Sequence, residues 1–288
     1  MASVKDLRER IASLKNTQQI TKAMKQVAAA KIRRAETARA QARPYADALG
    51  EMLRDLVLAV GSVDHPFMKP GRSGVPPGAV LMAADKGLAG AFNSNVVRAG
   101  ELYRGEHPQA VFYTVGIKAR NAVRRMGQPD HATWPLGARA KIDTARDVAQ
   151  RVADDFAAGK ICEIVLISPK IVTRISQRPE LRRLIPIVAT EVAGETAPGG
   201  HRGAVEFSPS PEFVLSRLLP KYLEFTIFSA MLETDAAFFA AQLLAMSNAT
   251  DNAGKLIDEL TIAMNNARQA AITKELLEIV GGAEALSG

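Results

Sequence analysis

The sequence is poor in the residues that build disulfide frameworks and metal sites. It holds one cysteine, Cys162, among 288 residues, which excludes a disulfide within the chain and is typical of a reducing compartment. The four histidines, at positions 65, 107, 131 and 201, lack metal-ligand spacing. We therefore expect no metal site, and we expect Cys162 to be buried as a small apolar side chain.

Long apolar runs are also missing. No run reaches the roughly 18 residues of a membrane-spanning helix, and the N-terminus has no apolar signal-peptide core. Aromatic residues are absent from residues 1–43, which hold eleven basic and three acidic side chains. A basic segment raises nucleic-acid binding as an alternative, but this one carries no aromatic residue to stack a base. Residues 211–288 hold five basic and ten acidic side chains, which favours pairing of the two segments.

Proline is absent from Lys221–Val280, and Gly254 is the only glycine there. Good helix formers dominate this stretch, which predicts one helix over 211–280, about 105 Å long. Small and apolar residues recur along it at steps of three and four, as in a coiled-coil seam. The predicted seam positions are Phe239, Gln242, Met246, Ala249, Ala253, Leu256, Leu260, Ala263, Ala267, Ala270, Lys274 and Leu277.

A second long helix is predicted at the other end of the chain, over Val4–Val60. Ser3 can cap it with Asp6 three residues on, and Pro44 lies inside it. Its seam positions are Leu7, Ile11, Leu14, Ile20, Met24 and Val27. Two long helices with small seams and opposite charge predict an antiparallel coiled coil.

The middle of the chain predicts an inserted, Rossmann-like α/β domain. Residues 61–78 are rich in glycine and proline and indicate a linker. Buried strands are expected at 79–84, 110–115 and 161–167, with helices at 93–104, 118–126 and 145–158. Alternating strands and helices are typical of a parallel sheet. Further strands are expected at 171–176, 184–190 and 205–208, and a flexible loop at 194–203. The predicted domains are therefore residues 1–60, 61–208 and 209–288.

The α/β region carries no recognisable catalytic motif. Gly87 and Gly90 lie between a strand and a helix, where a phosphate could bind, but neither established glycine-rich phosphate pattern is present. A nucleotide-binding enzyme therefore remains an alternative without a supporting motif. No G-x-S-x-G turn holds a nucleophile, so we expect the chain not to be an enzyme by itself, and we expect no cofactor.

Four segments spread over the whole chain resemble the gamma subunits of rotary ATP synthases. They are IASLKNTQQITKAMKQVAAAK at 11–31, DKGLAGAFNSN at 85–95, AMSNATDNAG at 245–254 and NARQAAITKELLEIVGGAEAL at 266–286. The resemblance departs from the usual pattern at Ala237–Gln242, where two phenylalanines appear and an arginine is lost.

The resemblance implies a central rotor shaft that is not itself catalytic. Its helical hairpin would enter a hexamer of alpha and beta subunits and couple ion-driven rotation to ATP synthesis or hydrolysis. Its α/β domain would meet the epsilon subunit and the ring of c subunits, on the cytoplasmic side of a bacterial inner membrane. Association with the membrane would come only through the complex.

The resemblance also implies a set of hexamer-binding residues. On the C-terminal helix, Gln269 and Thr273 lie four apart and so share one helical face, and Arg268 and Glu275 lie seven apart and share another. Arg10 and Lys22 on the N-terminal helix are basic residues that would meet acidic loops of the hexamer.

Overall fold

A computed structural model describes residues 3–60, 65–137, 141–173, 176–187 and 210–287. The chain forms two compact units. One contains Met1–Ala28 and Gln242–Gly288, and the other contains Ala29–Ala241. The domain boundaries expected near residues 60 and 208 stay a prediction.

The two predicted long helices are present. Helix α1 spans Val4–Val60 and continues through Pro44. At its start, the Ser3 hydroxyl accepts a hydrogen bond from the Asp6 amide, and the Asp6 carboxylate accepts one from the Ser3 amide, both at 3.2 Å. This reciprocal capping box satisfies two amides that the first turn would otherwise leave unpaired. Helix α5 spans Pro211–Ser287, 77 residues, or about 115 Å at 1.5 Å per residue.

The second unit contains a five-stranded sheet in the order β3-β2-β1-β4-β5. Its strands are β1 Gly78–Met82, β2 Val111–Val115, β3 Asp130–Trp134, β4 Ile164–Ile171 and β5 Gln177–Ile185. The first four are parallel, and β5 runs antiparallel to β4. The shorter helices are α2 Phe92–Glu106, α3 Ile117–Arg125 and α4 Lys141–Ala157. A 3-10 turn, Pro66–Met68, lies within the predicted linker.

The sheet is covered on both faces, which explains why its central strand is apolar throughout. On one face, Ala79 and Leu81 of β1 pack against Val96 of α2 and Val123 of α3. On the other face, Val80 and Met82 join a larger core that includes α4 and residues of both long helices. The apolar face of the sheet therefore rests directly on the base of the helical hairpin within this unit.

Three sequence-based expectations about strands were wrong or incomplete. Strand β3 was missed, because Asp130–Trp134 has no apolar run. A strand over 171–176 was wrong: Val172 and Thr173 lie in the bend after β4. The last described strand, β5, begins at Gln177 and ends at Ile185, so most of it precedes the expected strand at 184–190. Its Gln177–Arg183 portion was missed because it is too polar to resemble a buried strand. The predicted strand at 205–208 and loop at 194–203 lie outside the described residues.

The expectation that Cys162 is buried needs correction. Cys162 is only partly buried, because it follows the turn before β4 and does not lie in a strand interior.

Helix α5 contains one window, within Glu212–Val280, that is apolar enough by length and composition to cross a membrane. Half of that window is buried within the fold, which accounts for its apolar character, so composition alone does not support the expected absence of a spanning helix.

Candidate partner-binding surface

In the first unit, α1 and α5 form an antiparallel hairpin joined by polar side chains. The Thr21 and Thr250 hydroxyl oxygens lie 2.9 Å apart, and Lys25 donates a hydrogen bond of 2.9 Å to the Ser247 hydroxyl. The Gln18 amide lies 3.0 Å from the position that a Cβ on Gly254 would occupy. A side chain at Gly254 would therefore require the end of the Gln18 side chain to shift by a few tenths of an ångström.

The observed seam differs from the predicted one in two ways. Four predicted positions, Ala263, Ala270, Lys274 and Leu277, are exposed, and three large apolar positions are displaced by one residue. Thr21, Ala28 and Ile257 are buried, whereas Ile20, Val27 and Leu256 are 60%, 54% and 43% exposed. The threonines that contact each other across the seam satisfy their own hydroxyls, so small polar residues can occupy it. Ranking positions by hydrophobicity alone therefore selected the neighbouring, outward-facing residues.

The register shows where α5 loses its partner. Gln18 lies against Gly254, and the helices are antiparallel, so stepping back fourteen residues on α1 places Val4, its first residue, opposite Arg268. All residues from Arg268 to Val280 are exposed, in agreement with this register. We call Arg268–Val280 the unpaired tip of α5.

Four of the six predicted partner-binding residues lie on this unpaired tip. Arg268, Gln269, Thr273 and Glu275 are exposed. The Thr273 hydroxyl donates a hydrogen bond of 3.0 Å to the backbone carbonyl oxygen of Gln269. The structure places these four within two turns of one helix.

The other two predicted residues, Arg10 and Lys22, are exposed on α1. They lie beside the paired part of the hairpin and not on the tip. The six residues therefore do not form one cluster. They form a tip group of four and two separate basic positions along the first helix.

The sequence analysis missed an apolar component of the tip. Its five large apolar side chains are between 49% and 68% exposed. They are Ile272, Leu276, Leu277, Ile279 and Val280. Apolar side chains exposed on a single helix are unfavourable in water and typically mark a surface that another protein covers. Their position beyond the start of α1 was the signal that could have identified them.

In the second unit, α5 is fastened to the α/β layers by charged side chains. Glu233 accepts a hydrogen bond of 3.0 Å from the Ile171 amide at the end of β4, and its carboxylate lies 3.6 Å from Arg39 of α1. Asp235 forms a 2.7 Å ion pair with Lys141 at the start of α4. Burial raises the pKa of the Asp235 carboxyl, and the Lys141 ammonium opposes that shift.

The unusual phenylalanines contribute to the same attachment. Phe238 is buried and its ring meets that of Phe92 edge to face, with centroids 5.8 Å apart. The Phe239 ring accepts a cation–π contact from Lys31, 5.4 Å away. We call Glu233, Asp235 and Phe238, with their partners, the joint. It shows that the departure at Ala237–Gln242 is packed into the fold.

The glycine loop after β1 uses its polar side chains structurally. Asp85 accepts hydrogen bonds from the amides of Ile117 at 3.0 Å and Gly137 at 2.8 Å. Asn93 accepts from the Ala84 amide and donates to the Lys86 carbonyl. These contacts tie the loop to the starts of α2 and α3, which is sufficient reason for the residues found there.

A cluster of partly exposed basic side chains surrounds the buried Asp155 carboxylate between β2 and α4. The Asp155 carboxylate accepts hydrogen bonds from Tyr113 at 2.9 Å, Arg151 at 2.8 Å and Lys160 at 2.9 Å, and His131 lies 3.0 Å away. Burial alone would raise the pKa of Asp155, but the Lys160, Arg151 and Tyr113 hydrogen bonds outweigh it and hold that pKa well below its usual value. The cluster therefore serves to hold α4 against β2.

A metal centre finds no support among the residues that the structure describes. No group of three His, Cys, Asp or Glu side chains there could hold an ion.

Comparison with known proteins agrees with the fold and with the motifs. The profile of the ATP synthase family matches residues 3–286. The chain is 42% identical to the ATP synthase gamma chain of Pelotomaculum thermopropionicum over 99% of this chain and 100% of that one. It is 41% identical to the gamma chain of Phenylobacterium zucineum, again over 99% and 100%.

Solved structures resemble the fold as well. A chain from the Euglena gracilis mitochondrial ATP synthase, in a structure of OSCP, F1 and c-ring, matches with a TM-score of 0.67 at 19% identity. That match covers 98% of this chain and 94% of the other. A chain from the central stalk and c-ring of the Tetrahymena thermophila enzyme matches with a TM-score of 0.59 at 22% identity, over 80% and 99%.

Proposed function

The chain belongs to the ATP synthase gamma chain family, and from that premise we propose that it is the central rotor shaft of an ATP synthase. The helical hairpin would enter a hexamer of alpha and beta subunits. The α/β layers would meet the epsilon subunit and the ring of c subunits. Rotation of the shaft would then drive the beta subunits in turn through the conformations that bind, convert and release nucleotide.

The unpaired tip is the observation that supports this proposal best. A single helix that exposes five large apolar side chains needs a protein around it, because water alone leaves that surface unfavourable. A ring of subunits could cover all sides of a helix, which a flat partner could not. The polar tip residues would then hold the helix within that ring.

The tip group of Arg268, Gln269, Thr273 and Glu275 would make the directional contacts. Arginine and glutamate offer charge-assisted hydrogen bonds to loops of the surrounding subunits. Arg10 and Lys22 would add attraction to acidic loops along the first helix. The apolar side chains would slide against the ring with little preference for angle, whereas the polar contacts would break and re-form as the shaft turns.

The joint gives torque a route from the α/β layers into α5. Glu233 is bonded to the end of β4 and Asp235 to the start of α4, so force on those layers reaches the long helix through charged contacts. Phe238 of α5 adds an edge-to-face ring contact with Phe92 of α2. We propose that this attachment keeps the layers and the helix turning together.

The proposed role is not catalytic. Nucleotide chemistry would take place in the beta subunits, and this chain would change their conformation without touching the reacting atoms. The complex would lie on the cytoplasmic side of the bacterial inner membrane, with this chain attached only through its partners.

Reconstitution tests the proposal directly. We expect the purified chain to hydrolyse no ATP, and we expect its addition to purified alpha and beta subunits to yield a stable complex with raised ATPase activity. Gel filtration and a coupled ATPase assay measure both. Turnover by the chain alone, persisting after removal of trace hexamer, would disprove the non-catalytic role, and failure to join the hexamer would disprove the shaft.

A further inference from the structure

A groove on the outer side of α2 and α3 is not used by the proposed hairpin function. It has a volume of about 810 Å³ and opens to solvent. Val97 lines it at the contact between the two helices, where it is buried against Ala122 and Met126. One end is closed by the Gly87–Gly90 loop after β1.

The walls of the groove carry an excess of positive charge. Arg98 stands on the α2 side, and Lys118 and Arg125 stand on the α3 side, with Glu101 the only acidic residue among them. Within the part of the chain that the structure describes, none of the four forms an ion pair. Three basic side chains from two helices therefore face one cleft with their charges unmatched.

The shape and lining restrict the ligand class. The groove is much larger than a phosphate or sulfate ion. No aromatic residue lines it, so it lacks the aromatic platform on which nucleotide bases usually stack. Its basic walls, together with the apolar side chains of Leu88 and Val97, suit a chain that carries carboxylates and a few apolar groups. The span from Asn93 to Glu101 is about 12 Å along the helix, which matches about four residues of extended peptide.

We propose that this groove docks a short, extended, acidic segment of a partner protein. Arg98 and Arg125 would each bind a carboxylate, in the two-pronged geometry that arginine favours. Lys118 would add a third cation near the glycine loop. Leu88 and Val97 would contact an apolar side chain that lies between the carboxylates. The proposal stands independently of the rotor function.

The first test uses the full-length chain and a fluorescein-labelled hexapeptide that contains four carboxylates and two leucines. We expect saturable binding by fluorescence anisotropy, weakening as salt rises because exposed charges are screened. A peptide of the same length with amides in place of the carboxylates should not bind. Equal binding of the two peptides would overturn the proposal.

Charge reversal then locates the site. The double variant Arg98→Glu/Arg125→Glu should bind the acidic peptide at least about tenfold more weakly, because two attractions become repulsions. The double variant Arg33→Glu/Arg34→Glu, an equal change of net charge at two exposed sites outside the groove, should bind as the unaltered chain does. Undiminished binding by the double variant, or equal loss in both variants, would overturn the assignment.

A charge-swapped peptide guards against loss of binding by misfolding. A hexapeptide with lysines in place of the carboxylates should bind the double variant and not the unaltered chain. Anionic lipid vesicles form the last arm. If vesicles bind through Arg98 and Arg125 while the acidic peptide does not, the groove is a membrane contact and the proposal is wrong.

Discussion

Asp155 shows how one buried carboxylate organises its surroundings. Its side chain is 4% exposed and it accepts hydrogen bonds from Tyr113, Arg151 and Lys160. Arg151 and Lys160 are 42% and 62% exposed and reach the carboxylate from the solvent side, whereas Tyr113 is buried with it. The carboxylate thus holds α4 against β2, although no local sequence pattern predicts this contact.

The substitution Asp155→Asn should lower the free energy of unfolding by about 1–3 kcal/mol at pH 7, because the buried Tyr113 hydroxyl and the two partly exposed cations lose a charged acceptor. Urea unfolding of the full chain measures this. Asp154→Asn, which alters an exposed contact with Gln150, should cost less than about 0.5 kcal/mol. Equal losses in the two variants would show that the cluster has no special role.

The same substitution makes a prediction about pH. The pKa of Asp155 is lower in the folded chain than in the unfolded one. Its stabilisation is therefore complete above the unfolded pKa of about 3.9 and is lost as pH falls through the folded pKa. The stability difference between the unaltered chain and Asp155→Asn should shrink below about pH 4. A difference that grew in acid would contradict the assignment.

At the scale of elements, the hairpin register is the feature most open to direct test. Thr21 and Thr250 meet with hydroxyl oxygens 2.9 Å apart, whereas Ile20 faces solvent. In a Cys162→Ser background, the pair Thr21→Cys/Thr250→Cys should form a disulfide within one chain under mild oxidation. The pair Ile20→Cys/Thr250→Cys should not. Non-reducing gels and mass spectrometry distinguish the products, and the reverse pattern would contradict this register.

The sequence predicted elements well where periodicity was strong. Helix α1 was predicted at its observed bounds, Val4–Val60, and strand β2 to within one residue, because capping and apolar pattern agree there. Strand β5 was largely missed because Gln177–Arg183 alternates charged residues at an edge, where little is buried. The seam was placed one position away at Ile20 and Leu256, since cross-helix pairs such as Thr21 with Thr250 become visible only once the register is known.

The functional residues divide in the same way, into those that a sequence pattern indicates and those that only the fold brings together. The tip residues could be proposed from helical spacing and resemblance because they are close in sequence. The joint could not, since Glu233 meets Ile171 and Phe238 meets Phe92, contacts that only the fold creates. The apolar tip could have been found by asking which α5 residues extend beyond the start of α1.

At the scale of the whole molecule, the account divides the work of the tip between shape and polar contact. Each polar contact to a charged partner is worth about 1.5–3 kcal/mol at most. Single alanine substitutions at Arg268, Gln269, Thr273 or Glu275 should therefore weaken ATP synthesis and ATP-driven ion pumping without preventing assembly. Replacing all four should cost much more, because contacts within two turns act together.

Reconstituted vesicles measure this effect, with assembly checked by gel filtration. A matched variant, Arg268→Lys/Gln269→Asn/Thr273→Ser/Glu275→Asp, keeps polarity and charge and should retain most of the coupling. All the substituted side chains are exposed, so chain stability should change little. Unaltered ATP synthesis in the quadruple alanine variant would show that shape alone transmits rotation.

The central claim is that this chain turns within the hexamer, and observing rotation tests it most directly. The substitution Leu102→Cys, at a side chain 62% exposed on α2, allows a bead to be attached in a Cys162→Ser background. With the hexamer fixed to a surface and ATP supplied, the bead should rotate continuously in one direction and stop when ATP is removed. ATP hydrolysis by the same complexes while the bead stays still would contradict the account.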